Sequence, residues 1–266
     1  MIFSVIGIGN MGQALVSGFL SKGILQAGDI RVCDSDENKV ISFSQKTGCT
    51  SFTKASEAVL DADYVLLCVK PQVVDKTLQE LLPSLSPSTV IISIAASVKI
   101  MRLRNLLHKS TPIVRVMPNT PALVGAAVNA VCFDGVNEVN MTFVLSLLET
   151  CGLVVPCDEK MLDAIGCVSG TGPAYVMLFI ESLADAAVKL GIPRATALEI
   201  AAMTVYGSGK LAVETGTHPA VLKDQVCSPG GTTIEGVLAL EKFGLRAAVE
   251  AAVIAADDKT RLLAGG

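Results

Sequence analysis

The sequence predicts an α/β fold followed by an all-α one: a doubly wound parallel sheet, then a set of helices. Three observations carry this. Over the first 160 residues, short and nearly continuous apolar runs alternate with helix-like segments. Runs without in–out alternation belong to parallel strands covered on both faces. Beyond about residue 160 only helical patterns recur, and 266 residues suit two domains of ordinary size.

The expected strands are Phe3–Ile6, Ile30–Cys33, Tyr64–Val69, Val90–Ile94 and Ile113–Val116, each an apolar run bounded by polar or turn residues. Between them Met11–Lys22, Val73–Leu82 and Val98–Leu107 have helical spacing. Two further strands, Val128–Cys132 and Leu153–Pro156, flank a helix over Asn137–Thr150. The C-terminal helices are Ala174–Leu190, Arg194–Thr215, Ala220–Asp224, Thr233–Lys242 and Leu245–Leu263. Gly191 and Pro193 punctuate the first pair in the usual way, glycine after a helix and proline at the start of the next. No repeat or low-complexity linker separates 1–160 from 161–266, so the two domains are expected to pack closely.

A net charge of −4 and a pI near 5.3 exclude the basic footprint of a nucleic-acid binder. The absence of Trp and 4% aromatic content leave few platforms for stacking bases. The mean hydropathy of +0.56 is high and raises a membrane reading. A spanning helix takes about 20 predominantly apolar residues. Met1–Ser21 is uncharged but holds four glycines with Asn10 and Gln13, and Val116–Phe133 carries Pro118, Asn119 and Pro121. Neither is a continuous apolar rod, and the N-terminus lacks a basic signal-peptide region. No membrane partner is expected; the apolar excess goes to a covered sheet, a helical core or a subunit interface. The eight cysteines form no CxxC pair, and His108 and His218 have no clustered ligands near them. Reduced, buried thiols, no metal and a cytoplasmic location are expected.

The first chemical motif is Gly7-Ile8-Gly9-Asn10-Met11-Gly12. GxGxxG alone is a weak signal, but here it follows an apolar strand and opens a helix, the context of a Rossmann-type dinucleotide site. Gly7 makes the tight turn, Gly9 lets backbone approach a pyrophosphate, and Gly12 permits close packing of helix on strand. The helix N-terminus, with Asn10 and Met11, faces the phosphates. Asp34, 22 positions beyond Gly12 and followed by Ser35, ends the second strand. Its carboxylate suits an adenosine ribose diol and repels a 2′-phosphate, which leans towards NADH; the alternative is a cap for the next helix. Val69-Lys70-Pro71 ends a buried strand at the edge where open α/β sheets bind ligands. Lys70 either approaches the cofactor or is a solvated charge. Arg115–Pro121 is a second stiff strand-end loop, in which Asn119 and Thr120 read as unpaired and suited to cofactor or substrate.

The densest signal is Asp224–Gly236, DQVCSPGGTTIEG. Small residues and Pro229 precede a helix, and Thr232 with Glu235 spells a capping box. Such a turn offers backbone N–H groups to a carboxylate or phosphate, or is an ordinary interhelical turn. Ser169–Tyr175, SGTGPAY, is a second small-residue helix entry.

These two segments resemble the signature blocks of pyrroline-5-carboxylate reductases, and CVKPQ, SIAASV and RVMPNTPA resemble the family's N-terminal domain. The resemblance runs from about Phe3 to Leu263. It implies NADPH- or NADH-dependent reduction of 1-pyrroline-5-carboxylate to L-proline, with an active site between a Rossmann domain and a helical domain completed by a partner subunit. On the matching positions it makes Thr233 the catalytic hydroxyl, hydrogen-bonded to the imine nitrogen. Ser228 with the backbone of Gly231 and Thr232 becomes the carboxylate cradle, with Val226 and Gly230 in the same turn. It adds Ala95, in the SIAASV block, to the cofactor contacts. It also implies a homodimer through the C-terminal helices, assembled further into rings of dimers such as a decamer. Two positions depart from the family's common pattern: Ala55 stands where Asn is frequent and Asp34 where Ser or Thr is frequent.

Three other readings compete. A β-hydroxyacid-dehydrogenase-like enzyme would use a lysine of the second domain, for which Lys189 and Lys210 are available. A dinucleotide sensor without turnover would not need the SPGGTT turn. A reductase of another cyclic imino acid would, because a carboxylate cradle does not read ring size.

Overall fold

The computed structural model describes residues 1–263. Its eight strands are β1 (Phe3–Ile6), β2 (Ile30–Cys33), β3 (Thr50–Phe52), β4 (Tyr64–Leu67), β5 (Val90–Ser93), β6 (Ile113–Met117), β7 (Ala127–Asp134) and β8 (Gly152–Pro156). They form one sheet in the order β3-β2-β1-β4-β5-β6-β7-β8. The direction of winding reverses between β1 and β4, the switch point of a doubly wound fold.

Both faces are covered, as the apolar runs require. Along β1, Phe3 and Val5 join one core cluster while Ile6 joins the other. Along β4, Tyr64 and Leu66 face one way, Val65 and Leu67 the other. The seven helices that accompany the sheet are α1 (Asn10–Ser21), α2 (Glu37–Thr47), α3 (Ala55–Ala58), α4 (Val74–Leu81), α5 (Ile100–Leu106), α6 (Glu138–Glu149) and α7 (Glu159–Ser169). Among the described residues, four 3-10 turns lie in the connections, at Ala27–Asp29, Pro71–Val73, Leu82–Ser84 and Thr120–Val124; the second and fourth follow β4 and β6.

The sheet departs from the expected parallel pattern at one place: β7 is antiparallel to β6, and β8 runs parallel to β7. The connection 118–126 holds only a 3-10 turn. A parallel crossover needs about a dozen residues or more, usually a helix, so the chain turns back instead. Elements beyond those expected are β3, α2, α3 and α7. β3 is a three-residue, largely exposed edge strand with no apolar run to announce it. α2 buries only Val40 and Phe43, and is set by Asp36 capping its first turn and by Gly48 at φ +79° ending it.

α7 is tied to the sheet by charge. Arg115 on β6 is 2% exposed and donates to Glu159 (2.9 Å) and Asp163 (2.7 Å), one turn apart on α7. Glu159 also accepts from the Ile100 amide at the start of α5 (2.7 Å). Leu162 packs with Ala130 and Cys132 of β7. The first compact unit spans Met1–Gly170, α7 included, together with residues 257–263 among those described. The second unit, Thr171–Ala256, comprises α8 (Gly172–Lys189), α9 (Arg194–Thr215), α10 (Pro219–Val226), α11 (Thr232–Lys242) and most of α12 (Leu245–Leu263).

The second unit has little interior of its own. Its buried cluster is Ala184, Ala197 and Ala201, where α8 meets α9. Met177, Leu178, Met203, Val213, Phe243 and Ile254 are exposed. The stretch Glu159–Lys189 is also long and apolar enough, by length and composition, to cross a membrane, with a mean hydropathy of 1.3. Its uncharged run, residues 164–180, is bounded by Asp163 and Glu181.

Arg115→Ala leaves two partly buried carboxylates facing each other without a cation. It should destabilise the sheet unit by about 3–5 kcal/mol, since removing one partner strands the other charges; the urea unfolding midpoint tests this.

Candidate active site

The glycine loop connects β1 to α1 at the carboxyl edge of the sheet. Gly7 has φ +101°, and a Cβ there would stand 2.7 Å from the Cys68 carbonyl oxygen at the end of β4. A Cβ on Gly12 would overlap the carbonyl oxygen of Gly7 itself. Both positions therefore exclude a side chain for reasons internal to the protein. Gly9 does not: a Cβ there meets nothing within 4 Å. Gly9 and Asn10 are exposed, and Gly9 is the N-cap of α1 without a side-chain cap. The loop thus presents bare backbone and an uncapped helix N-terminus to the space beyond β1, the arrangement that accepts an anionic phosphate. Gln13 steadies it from behind, donating to the Ile8 carbonyl (3.0 Å).

Asp34 closes the loop's other side. Its Oδ2 accepts from the Ile8 amide (2.7 Å) and its Oδ1 from the Asp36 amide (3.0 Å) and the Ser35 hydroxyl (3.3 Å). It does not cap α2; Asp36 does, accepting from the Lys39 amide. Next to it, burial and then the Asp34 carboxylate push the Cys33 thiol up to about 11, so the thiol stays neutral near pH 7. Burial likewise raises Cys68, between the glycine loop and β4.

Three more loops end at this sheet edge. Val69, Lys70 and Pro71 follow β4, with Lys70 extended and exposed and Pro71 opening a 3-10 turn. Ala95 follows β5 and is buried, its amide directed at Ser93 Oγ (3.4 Å). Two residues on, Ser97 has φ +62°, a conformation that non-glycine residues rarely adopt and one that marks functional loops. The sequence signal there, a run of small residues, did not single it out. Asn119 follows β6 and is not unpaired, contrary to the sequence expectation. Its Nδ2 donates to the Ser169 carbonyl and its Oδ1 accepts from the Val128 amide, both at 2.9 Å. A buried amide must be satisfied, and here it joins the β6 loop to β7 and to the end of α7. The structure thus brings the loop ends of β1, β2, β4, β5 and β6 to one edge. Among the described residues, no three His, Cys, Asp or Glu cluster as metal ligands.

In the second unit, the turn between α10 and α11 holds Val226, Ser228, Gly230, Gly231, Thr232 and Thr233. Gly230 has φ +66°, and a Cβ on Gly231 would overlap Ser228 Oγ. The Gly231 amide donates to the Ser228 carbonyl (3.0 Å). The capping box read from the sequence is not formed. Gly231 is the N-cap of α11, so Thr232 and Glu235 both lie inside the first turn and no side chain caps the helix. The consequence is chemical: the first N–H groups of α11 have no side-chain cap and lie beside the Ser228 hydroxyl, an arrangement able to accept an anion. Thr233, half-buried, sits one residue into that helix. Of the rival lysines, Lys210 pairs with Glu214 one turn along α9 (3.6 Å), and Lys189 is an exposed charge in the last turn of α8.

Comparison with known proteins agrees with this layout. Residues 159–263 match the family profile described as pyrroline-5-carboxylate reductase dimerisation, and residues 2–97 match one described as NADP oxidoreductase, coenzyme F420-dependent. The pyrroline-5-carboxylate reductase of Escherichia coli K12 is 41% identical over 97% of this chain and 96% of its own. The chain belongs to the pyrroline-5-carboxylate reductase family. A solved pyrroline-5-carboxylate reductase from Coxiella burnetii superposes with a TM-score of 0.91 at 32% identity, covering 98% of this chain and 97% of the other. One from Plasmodium falciparum, with NADP bound, gives 0.89 at 32% identity, covering 99% and 98%. The fold of this family, a dinucleotide-type sheet domain with a helical dimerisation domain, is the one described above.

Two glycine substitutions separate packing from ligand approach. Gly12→Ala should lower the unfolding free energy by roughly 1–3 kcal/mol through overpacking. Gly9→Ala should leave it within about 0.5 kcal/mol of the parent while weakening dinucleotide binding, read by urea unfolding and fluorescence titration respectively.

Proposed function

We propose that this protein reduces 1-pyrroline-5-carboxylate to L-proline with a reduced nicotinamide dinucleotide. The observation that carries the reading is that, in a chain of this family, each unit has one helix whose N-cap is a glycine at the end of a glycine-containing turn, at Gly9 and at Gly231. One lies behind a glycine loop shaped for phosphates, the other behind a Ser228-Gly231 turn shaped for a carboxylate.

The dinucleotide, when bound, supplies the hydride. Its pyrophosphate fits the space that Gly9 leaves open and the free amides at Asn10 and Met11. Asp34 and Ser35 fit the adenosine ribose, and Val69, Lys70, Pro71, Ala95 and the Asn119 loop line the remaining edge. The substrate carboxylate fits the first amides of α11 and the Ser228 hydroxyl. Thr233 orients the imine nitrogen through a neutral hydroxyl. A cyclic imine is basic enough to arrive partly protonated, so a strong protein acid is unnecessary and the shortage of histidine is no obstacle. The residues act by positioning, which supplies much of the rate.

The thin core of α8–α12 and their exposed apolar faces suit a homodimer, assembled further into rings such as a decamer. On this reading those faces, including α8, meet protein and not lipid. Eight cysteines, five of them buried and none in a disulfide, suit a reducing cytoplasm.

Loss of nicotinamide absorbance on mixing protein, reduced dinucleotide and pyrroline-5-carboxylate tests the activity; no oxidation would overturn it. Thr233→Ala should lower kcat by about a hundredfold, the scale of a positioned proton-handling group, with dinucleotide affinity unchanged. Sedimentation should give a dimer or larger assembly, and a stable monomer would refute the assigned interface.

A further inference from the structure

We infer that Asp34 makes this protein selective for NADH over NADPH, by offering a ribose diol two free acceptor positions on a carboxylate that cannot turn away. The inference rests on the dinucleotide reading of the glycine loop and names which dinucleotide that loop takes.

The first argument is the count of acceptors. An ionised carboxylate has about four lone-pair positions. The backbone takes two of them: the Ile8 amide on Oδ2 and the Asp36 amide on Oδ1. Ser35 occupies a third only weakly, at 3.3 Å from an exposed rotatable hydroxyl. One position on each oxygen is therefore open to two O–H donors side by side, and a 2′,3′-diol presents two.

The second argument is rigidity. Asp34 is bonded to Ile8 inside the glycine loop and to Asp36 at the head of α2, so both ends of the carboxylate are fixed by main chain. A free aspartate swings aside for an incoming anion. This one would first have to abandon the loop that holds the pyrophosphate.

The third argument is the engagement of the neighbouring cations. A 2′-phosphate carries about two negative charges and needs a cation beside it. Lys39 on α2 pairs with Asp36 (3.2 Å). Lys54 follows β3, whose Phe52 is in register with Cys33, and pairs with Glu57 (3.1 Å). Arg31 lies over the Phe52 ring and donates to the Leu60 carbonyl (2.6 Å). Each of these groups already has a partner, and the phosphate would meet the fixed Asp34 charge instead.

Direct titration of the full-length protein with NADH and NADPH, read by nicotinamide fluorescence, tests this without turnover. NADH should bind at least about tenfold more tightly, the scale of one close like-charge contact near a protein surface. ADP should likewise displace bound NADH better than 2′,5′-ADP. Asp34→Asn keeps an acceptor for the Ile8 amide but removes the charge, and should narrow the NADH/NADPH affinity ratio by about the same factor. NADPH binding as tightly as NADH, or an unchanged ratio in Asp34→Asn, would overturn the inference. Should Asp34→Asn fail to fold, the two competitors on the parent protein decide alone. Binding of neither dinucleotide would overturn the cofactor reading and this inference together. Selective NADH binding without reductase activity would sustain the inference and sink only the proposed reaction.

Discussion

The close approach of three backbone segments at the sheet's switch point governs the rest of the sheet unit. The turn after β1 passes so near the end of β4 that Gly7 has no room for a Cβ against Cys68, and α1 starts so near that turn that Gly12 has none against Gly7. Side chains at either place would push α1 off the sheet. With α1 seated, its N-terminus points over the carboxyl ends of the central strands, and the loops after β2, β4, β5 and β6 gather at that same edge. The register of β1 with both β2 and β4, in which Ile6 lies level with Cys33 and Leu67, brings those three loops out together.

The two units solve a similar electrostatic problem in the same way. Each leaves a helix N-terminus without a side-chain cap, at Gly9 and at Gly231. Asp36, Asn137 and Asp158 do cap the helices that follow them, while α3, α4, α5, α8 and α9 also open without a side-chain cap. What Gly9 and Gly231 share is a glycine at the N-cap itself, with no side chain over the first amides. A missing cap costs a helix about 1 kcal/mol. An anionic ligand recovers that cost by satisfying the same amides.

The helical unit carries a different constraint. Three buried alanines do not hold five helices together, and α10, α11 and α12 bury no residue completely. A unit of this kind depends on surface supplied from elsewhere, which accords with a family whose C-terminal segment is described as a dimerisation region. It also explains a mean hydropathy of +0.56 that the sheet alone does not.

Much of this was legible in the sequence. Apolar runs located seven of the eight strands, and α9 and α12 have the bounds their patterns imply. The glycine loop and the SPGGTT turn stood out because positive φ at Gly7 and Gly230, and tight approach at Gly12 and Gly231, leave no other residue there. Elements with weak apolar signal, β3 and α7, were not legible: one is an edge, and the other is held to the sheet through Arg115, whose partners lie 44 and 48 residues away. Tertiary structure alone decided the fate of the polar groups. It turned Asn119 inward to satisfy buried backbone, moved the cap of α11 from Thr232 to Gly231, and bonded Asp34 to the Ile8 amide. A sequence shows which donors and acceptors exist; only the fold brings distant ones within hydrogen-bonding distance, and so decides which are spent on the protein and which are left for a ligand.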